Sequence, residues 1–284
     1  MNFYLISTSH LETRIWFKDD EDFKAGMNFV AVLAARTGVR VIAFILMSNH
    51  VHFLLECCRT EAEDYINRFK KQYSYYYYCK YGENELLRRN LADIQEVGLT
   101  PESLERVVAY IQMNCVAARI CLHPTGYRWG TGNTFFNDNP PQGTRVKEMS
   151  VRAVRRITHS TVNLPSGWKV AEDGYVLPDS YVSVDFVESL FRNPVRMNYF
   201  LNTSSKAKLV RESNGPSFRD QIIMAAIADI CMSLFRKQSV ESLLPSEQKE
   251  LLMQVRRRFG ADLNQICRVS GIAYSEAAKM LDSY

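Results

Sequence analysis

His50 and His52 stand one residue apart in the run ILMSNHVHFLLE, with only Val51 between them. In an extended strand successive side chains alternate faces, so the two imidazoles share one face and Val51 takes the other. Two imidazoles side by side on a rigid element are half of a metal site. Imidazole suits transition metals, and a site completed by phosphate oxygen also takes Mg2+ or Mn2+. A pair of satisfied or half-exposed histidines is the plainer alternative. The flanking runs IAFILM and FLLE weaken it, because packing in so apolar a strand does not call for two polar residues on one face. Further along, AYIQMN sets Tyr110 and Asn114 four residues apart, on one side of a helix. The carboxamide oxygen of Asn114 can complete a metal site, with Tyr110 one turn away, near a phosphate held by that metal. Such a metal favours the phenolate, which in free tyrosine forms at about pH 10. Attack by the phenol oxygen on phosphorus is covalent catalysis that conserves the energy of the cleaved bond for rejoining. Alone, Tyr-x-x-x-Asn is an ordinary helix pattern around a core tyrosine; it gains meaning beside the histidine pair.

These groups need elements to position them. NFYLIST has the pattern of a strand, and DEDFKAGMNFVAVLAARTG that of an amphipathic helix with an acidic start and Gly38 past its end. VRVIAFILMSNHVHFLLE predicts two strands joined by a tight turn around Met47 to Asn49. RTEAEDYINRFKKQYSYYYYCKYG predicts a helix ending at Gly82, and ELLRRNLADIQEV a further strand. TPESLERVVAYIQMNCVAARI predicts one helix, capped by Thr100, with Pro101 in its first turn and Glu102 complementing its dipole. The order β-α-β-β-α-β-α predicts an α+β fold, a ferredoxin-like antiparallel sheet carrying helices. The breaker-rich loop NDNPPQGTR ends this first unit, giving residues 1–138. Residues 139–215 read as a mixed α/β accessory segment, and residues 216–284 as a helical domain.

The motif LMSNHVHFLLE, followed about 50 residues later by VVAYIQMNCVAARI, resembles the HUH single-tyrosine transposases, most nearly the REP-associated tyrosine transposase branch. The resemblance covers about residues 1–136. It implies that His50 and His52 bind a divalent metal, Mg2+ or Mn2+, that Tyr110 is the nucleophile and that Asn114 is the third ligand. It further implies cleavage of single-stranded or hairpin DNA, leaving a 5′-phosphotyrosine and a free 3′ hydroxyl, and it admits a homodimer. The sequence departs from the family pattern at Cys115, where proline often follows the asparagine, and at YRWGTGNTFF, a loose counterpart of a tryptophan-containing domain end.

Other segments bear on DNA handling. QYSYYYYCKYG carries six tyrosines, Tyr73, Tyr75, Tyr76, Tyr77, Tyr78 and Tyr81. With Arg68, Lys70, Lys71 and Lys80 nearby they suit base stacking with phosphate contacts, or equally an aromatic core stripe on a basic-faced helix. Gln72 is the one feature that favours a nucleophile among them. Tyr110 is preferred because it has a polar partner at i+4 and a capped helix. Arg152, Arg155 and Arg156 cluster on one helical side, as a phosphate-contacting surface or a solvated face. The C-terminal DLNQICRVSGIAYSEAAKMLDSY resembles a helix-turn-helix, with Asp262 as cap and Gly271 in the turn. Arg256, Arg257 and Arg258 precede it and suit backbone phosphate. A plain helical hairpin is the alternative there, and Glu276 and Asp282 favour it mildly.

The chain has 284 residues with 46% hydrophobic and 23% charged side chains, an ordinary globular composition. The net charge of +4 is small, and its positive excess lies in residues 141–215. Seven cysteines without a CxxC pair argue against a disulfide framework or a structural zinc site. No run reaches the roughly 18 apolar residues of a membrane span, and the N-terminus lacks a signal-peptide pattern, so a cytoplasmic protein is expected. Two rival functions remain: a non-catalytic nucleic-acid-binding regulator, and a nuclease that activates water in place of Tyr110.

Overall fold

The computed structural model describes residues 2–8, 15–83, 91–205, 218 and 220–282. Its centre is a four-stranded, wholly antiparallel sheet of β1 (Asn2–Ser7), β2 (Arg40–Met47), β3 (His50–Cys57) and β4 (Asp93–Val97), in the spatial order β2-β3-β1-β4. Two helices interrupt the strands. α1 (Asp20–Thr37) joins β1 to β2, and α2 (Arg59–Tyr81) lies between β3 and β4. Asp19 starts α1 through a capping box with Asp22, and Gly38 ends it in the left-handed conformation. The β2–β3 turn is Ser48–Asn49, as the breaker-like residues between the apolar runs predict. Of the segment expected as the last strand, residues 84–90 lie outside the described residues, and the strand itself begins at Asp93.

The two faces of the sheet carry different partners. Phe53 meets the rings of Tyr65 and Phe69 from α2, so the odd residues of β3 face α1 and α2. The even residues, His50, His52, Leu54 and Glu56, face α3 (Pro101–Gln112). Thr100 caps α3 by accepting the Ser103 amide proton at 3.2 Å. The long helix expected over residues 100–120 is not continuous. It ends at Gln112, and a separate turn, α4 (Asn114–Ala117), follows Met113. The cause is local: the Asn114 amide donates to the Tyr110 and Ile111 carbonyls at 2.9 and 3.1 Å, satisfying groups that a helix end leaves open.

The outer edge of β2 is covered by later chain. Gly130 bridges Ile45, Leu46 donates to the Trp129 carbonyl, and Thr131 donates to that of Phe44. A Cβ at position 130 would stand 2.6 Å from the Phe44 oxygen, so only glycine allows this approach. Trp129 is fully buried and stacks on Phe23. The stretch YRWGTGNTFF therefore closes a sheet edge that would otherwise offer open hydrogen bonds.

Residues 144–203 hold β5 (Thr144–Arg145), α5 (Val151–Thr158), β6 (Lys169–Val170), α6 (Val184–Phe191) and α7 (Pro194–Thr203). Their apolar side chains join the core of the central sheet. α5 packs on α1, while α6 and α7 pack beside α3. The Arg196 guanidinium grips the buried carboxylate of Glu105 with two nitrogens, fastening α7 to α3. A second core is formed by α8 (Asp220–Phe235), α9 (Pro245–Phe259), α10 (Leu263–Ser270) and α11 (Tyr274–Asp282), and Ile15 from the N-terminal part of the chain joins it. Asp262 caps α10, and Gly271 turns the chain toward α11 with a positive φ.

Candidate functional site

Strand β3 and helix α3 bring three of the expected residues together. The His50 and His52 rings lie 5.1 Å apart between centroids, nearly perpendicular, on one face of the sheet. The Tyr110 ring stands edge-on to His52 at 5.5 Å. Asn114, one helical turn beyond Tyr110, is 4% exposed and anchored to α3 by its amide nitrogen. His52 is 1% exposed, whereas His50 and Tyr110 are half-buried at the rim.

The local bonds suit metal binding. His50 Nδ1 lies 2.9 Å from Asn49 Oδ1. With the proton on Nδ1, Nε2 becomes the electron-pair donor, the usual arrangement of a ligating histidine held from behind. Asn114 spends its nitrogen on carbonyls, which leaves its carboxamide oxygen as the atom of ligand type. Imidazole nitrogens and an amide oxygen are of the donor types that a divalent cation takes when phosphate and water complete its shell. Among the described residues no group of three or more His, Cys, Asp or Glu gathers as a metal cluster.

Strand register adds a residue that sequence reading missed. Ser7 is opposite His52 on one side and Asp93 on the other, so His52, Ser7 and Asp93 form one cross-strand row on the α3 face. Burial raises the Tyr110 phenol above its usual value of 10.0, and the Asp93 charge raises it further. No sequence pattern marks Asp93, because its place depends on the pairing of strands far apart in the chain. A groove runs from Tyr110 between α3 and α7, lined by Arg106, Phe200, Thr203 and Ser204.

The basic residues expected to touch DNA lie elsewhere. Arg68, Lys70 and Lys71 are on α2, and Arg152, Arg155 and Arg156 on α5, both on the sheet face away from Tyr110. Lys70 is buried, and burial lowers its pKa; Arg68 is held by Asp64 at 2.5 Å. Lys71 and the three α5 arginines are exposed. Arg256, Arg257 and Arg258 are exposed on the last turn of α9, where they also complement the helix dipole. The tyrosine run serves chiefly as core. Tyr73 and Tyr77 are fully buried, and the Tyr81 hydroxyl bonds Asp22 at 2.8 Å; Tyr75 and Tyr78 face outward. Gln72 shares this helix on the far face, remote from the histidine pair.

The chain is thus an α+β protein with a histidine pair on a central antiparallel strand and a tyrosine helix packed across it. Residues 10–92 match the family described as Transposase IS200 like. The matched segment holds both histidines and ends before Tyr110 and Asn114. No curated protein and no solved structure matches the chain. No helix among the described residues is long and apolar enough to cross a membrane.

Proposed function

We propose that the protein is a DNA strand transferase that cuts and rejoins single-stranded or hairpin DNA through Tyr110. The observation that carries this reading is the packing of the Tyr110 ring against His52, with Asn114 one turn on. The β-α-β-β-α-β order and the strand order β2-β3-β1-β4 support a ferredoxin-like sheet of the HUH type. His50, His52 and Asn114 would hold Mg2+ or Mn2+. When bound, such a cation polarises the phosphodiester and stabilises developing charge.

The chain's own residues do the rest. Asn49 and the β3 backbone orient His50. The wall formed by α3 and α7 keeps Tyr110 at the rim, open to a strand in the adjoining groove. The Tyr110 oxygen loses its proton to solvent and bonds to phosphorus while the bond from phosphorus to the 3′ oxygen breaks. That oxygen leaves as a hydroxyl after taking up a proton. A 5′-phosphotyrosine remains, and a 3′ hydroxyl of the same or another strand reverses the step. Tyr110 and His52 meet within one chain, which favours action in cis; a homodimer is not required to assemble the pair. The exposed arginines of α5 and α9 would hold flanking duplex by its phosphates.

The test is a denaturing gel of labelled single-stranded hairpin DNA incubated with the protein and Mn2+. A covalent adduct is expected, absent with Tyr110→Phe. Cleavage that survives this change means that water is the nucleophile. Binding with no cleavage means a regulator.

A further inference from the structure

The turn that carries His50 is held by a residue about 170 positions away. Asp220, in the first turn of α8, is 2% exposed. Its carboxylate accepts from Arg268 Nε at 2.7 Å and Nη2 at 3.0 Å, and from Gln265 Nε2 at 2.9 Å. All three donors come from α10. The remaining bond reaches out of the C-terminal unit, where Ser48 Oγ donates to Asp220 Oδ2 at 2.5 Å. The Ser48 carbonyl in turn accepts the Trp16 and Phe17 amides at 2.8 and 3.0 Å, and Gln221 donates to the Phe17 carbonyl at 2.7 Å. Ser48 is thus fixed through both its hydroxyl and its backbone. The next residue, Asn49, presents the oxygen 2.9 Å from His50 Nδ1. A small, partly open cavity lies here between Asn49, His50, Ala118, Gln265 and Arg268.

We propose that Asp220 is a positioning residue for His50: clamped by Arg268 and Gln265, it holds Ser48 so that Asn49 keeps the proton of His50 on Nδ1 and turns Nε2 toward the metal. The C-terminal unit is then part of the catalytic site and not only a DNA-reading appendage. A buried carboxylate satisfied on three sides by one helix, with its last bond given to a two-residue turn, sets that turn's geometry at little entropic cost. A direct hydrogen-bond partner of a ligating histidine, the place Asn49 holds beside His50, changes metal affinity by about 10–100-fold when removed. The inference rests on the metal-site reading above.

Ser48→Ala is the clean test, since it cuts the link and leaves the Asp220–Arg268 pair intact. Two readouts on the full-length protein are needed. Mn2+ titration by calorimetry should show affinity about 10-fold weaker in Ser48→Ala and in Asn49→Ala. The double variant should be no weaker than either alone. Nitrogen-15 NMR of His50 without metal should show the proton on Nδ1 in the wild type and a mixed tautomer in Ser48→Ala. Restoring the hydroxyl with Ser48→Thr should recover the wild-type tautomer. Mn2+ affinity within twofold of wild type in Ser48→Ala, together with an unchanged His50 spectrum, overturns the proposal. If the wild type binds no Mn2+, the metal reading fails by itself, and the tautomer measurement still decides whether Asp220 governs His50.

Discussion

The two faces of the central sheet use the same residue types for opposite ends. On the face of α1 and α2, tyrosines are numerous and closed in. Tyr73 is fully buried and donates to the Trp16 carbonyl at 2.6 Å, while Tyr65 donates to that of Val30 at 3.1 Å. Tyr76 and Tyr81 bond Asp22, which also pairs with Lys80 at 2.7 Å. On the face of α3, Tyr110 stands half-exposed against a histidine. Density of a residue type therefore says little about chemistry. The inward members of the tyrosine run, Tyr73, Tyr76, Tyr77 and Tyr81, have their hydroxyls committed to carbonyls and carboxylates, and burial lifts Tyr73, Tyr76 and Tyr81 far above the usual phenol range. Tyr110 has a lesser lift and a neighbour suited to binding a cation.

Three outcomes would break or sharpen that contrast. The largest belongs to the closed face. Tyr73→Ala removes a fully buried aromatic and should cost about 3–5 kcal/mol, read as a fall in the chemical-denaturation midpoint. An Ala at the exposed Tyr75 should leave that midpoint nearly unchanged. Equal effects at the two positions would mean that the run is not core.

The second outcome concerns the joint between the sheet and the C-terminal unit. Burial alone would raise the Asp220 carboxyl, but hydrogen bonding and charge from Arg268, with Ser48 and Gln265, hold it below the usual 3.8. A carboxyl lowered on folding stabilises the native state fully above its unfolded value, and that contribution is lost as pH falls through the folded one. Thermal melting by circular dichroism should therefore show a loss below about pH 4 that is smaller in Asp220→Asn. An identical acid profile in the variant would remove Asp220 from the linkage. The smallest outcome is on the open face. Asp93→Asn should bring the Tyr110 phenol down toward 10, followed by carbon-13 NMR of the ring, with no change in stability. A phenol that does not move would separate Asp93 from the site.

Much of the first unit was legible because its signals are local. Thr100, Gly38 and Gly82 mark helix ends by hydrogen bonding and backbone freedom within a few residues, and HVH alternates faces in any strand. The split at Met113 was hidden because the Asn114 amide competes for the carbonyls of Tyr110 and Ile111, which a periodic apolar pattern does not reveal. The role of YRWGTGNTFF in covering β2 was hidden for another reason: an edge is a property of the assembled sheet.

By itself the sequence determined that His50 and His52 point one way and that Tyr110 and Asn114 share a helical side, because strand and helix periods follow from backbone geometry alone. Only the tertiary structure decided that Tyr110 meets His52, that Asp93 joins the row of His52, that the α2 and α5 cations lie behind the sheet, and that Asp220 reaches Ser48. Each of those depends on pairing and packing between residues distant in the chain, and no local pattern encodes which distant partner closes the contact.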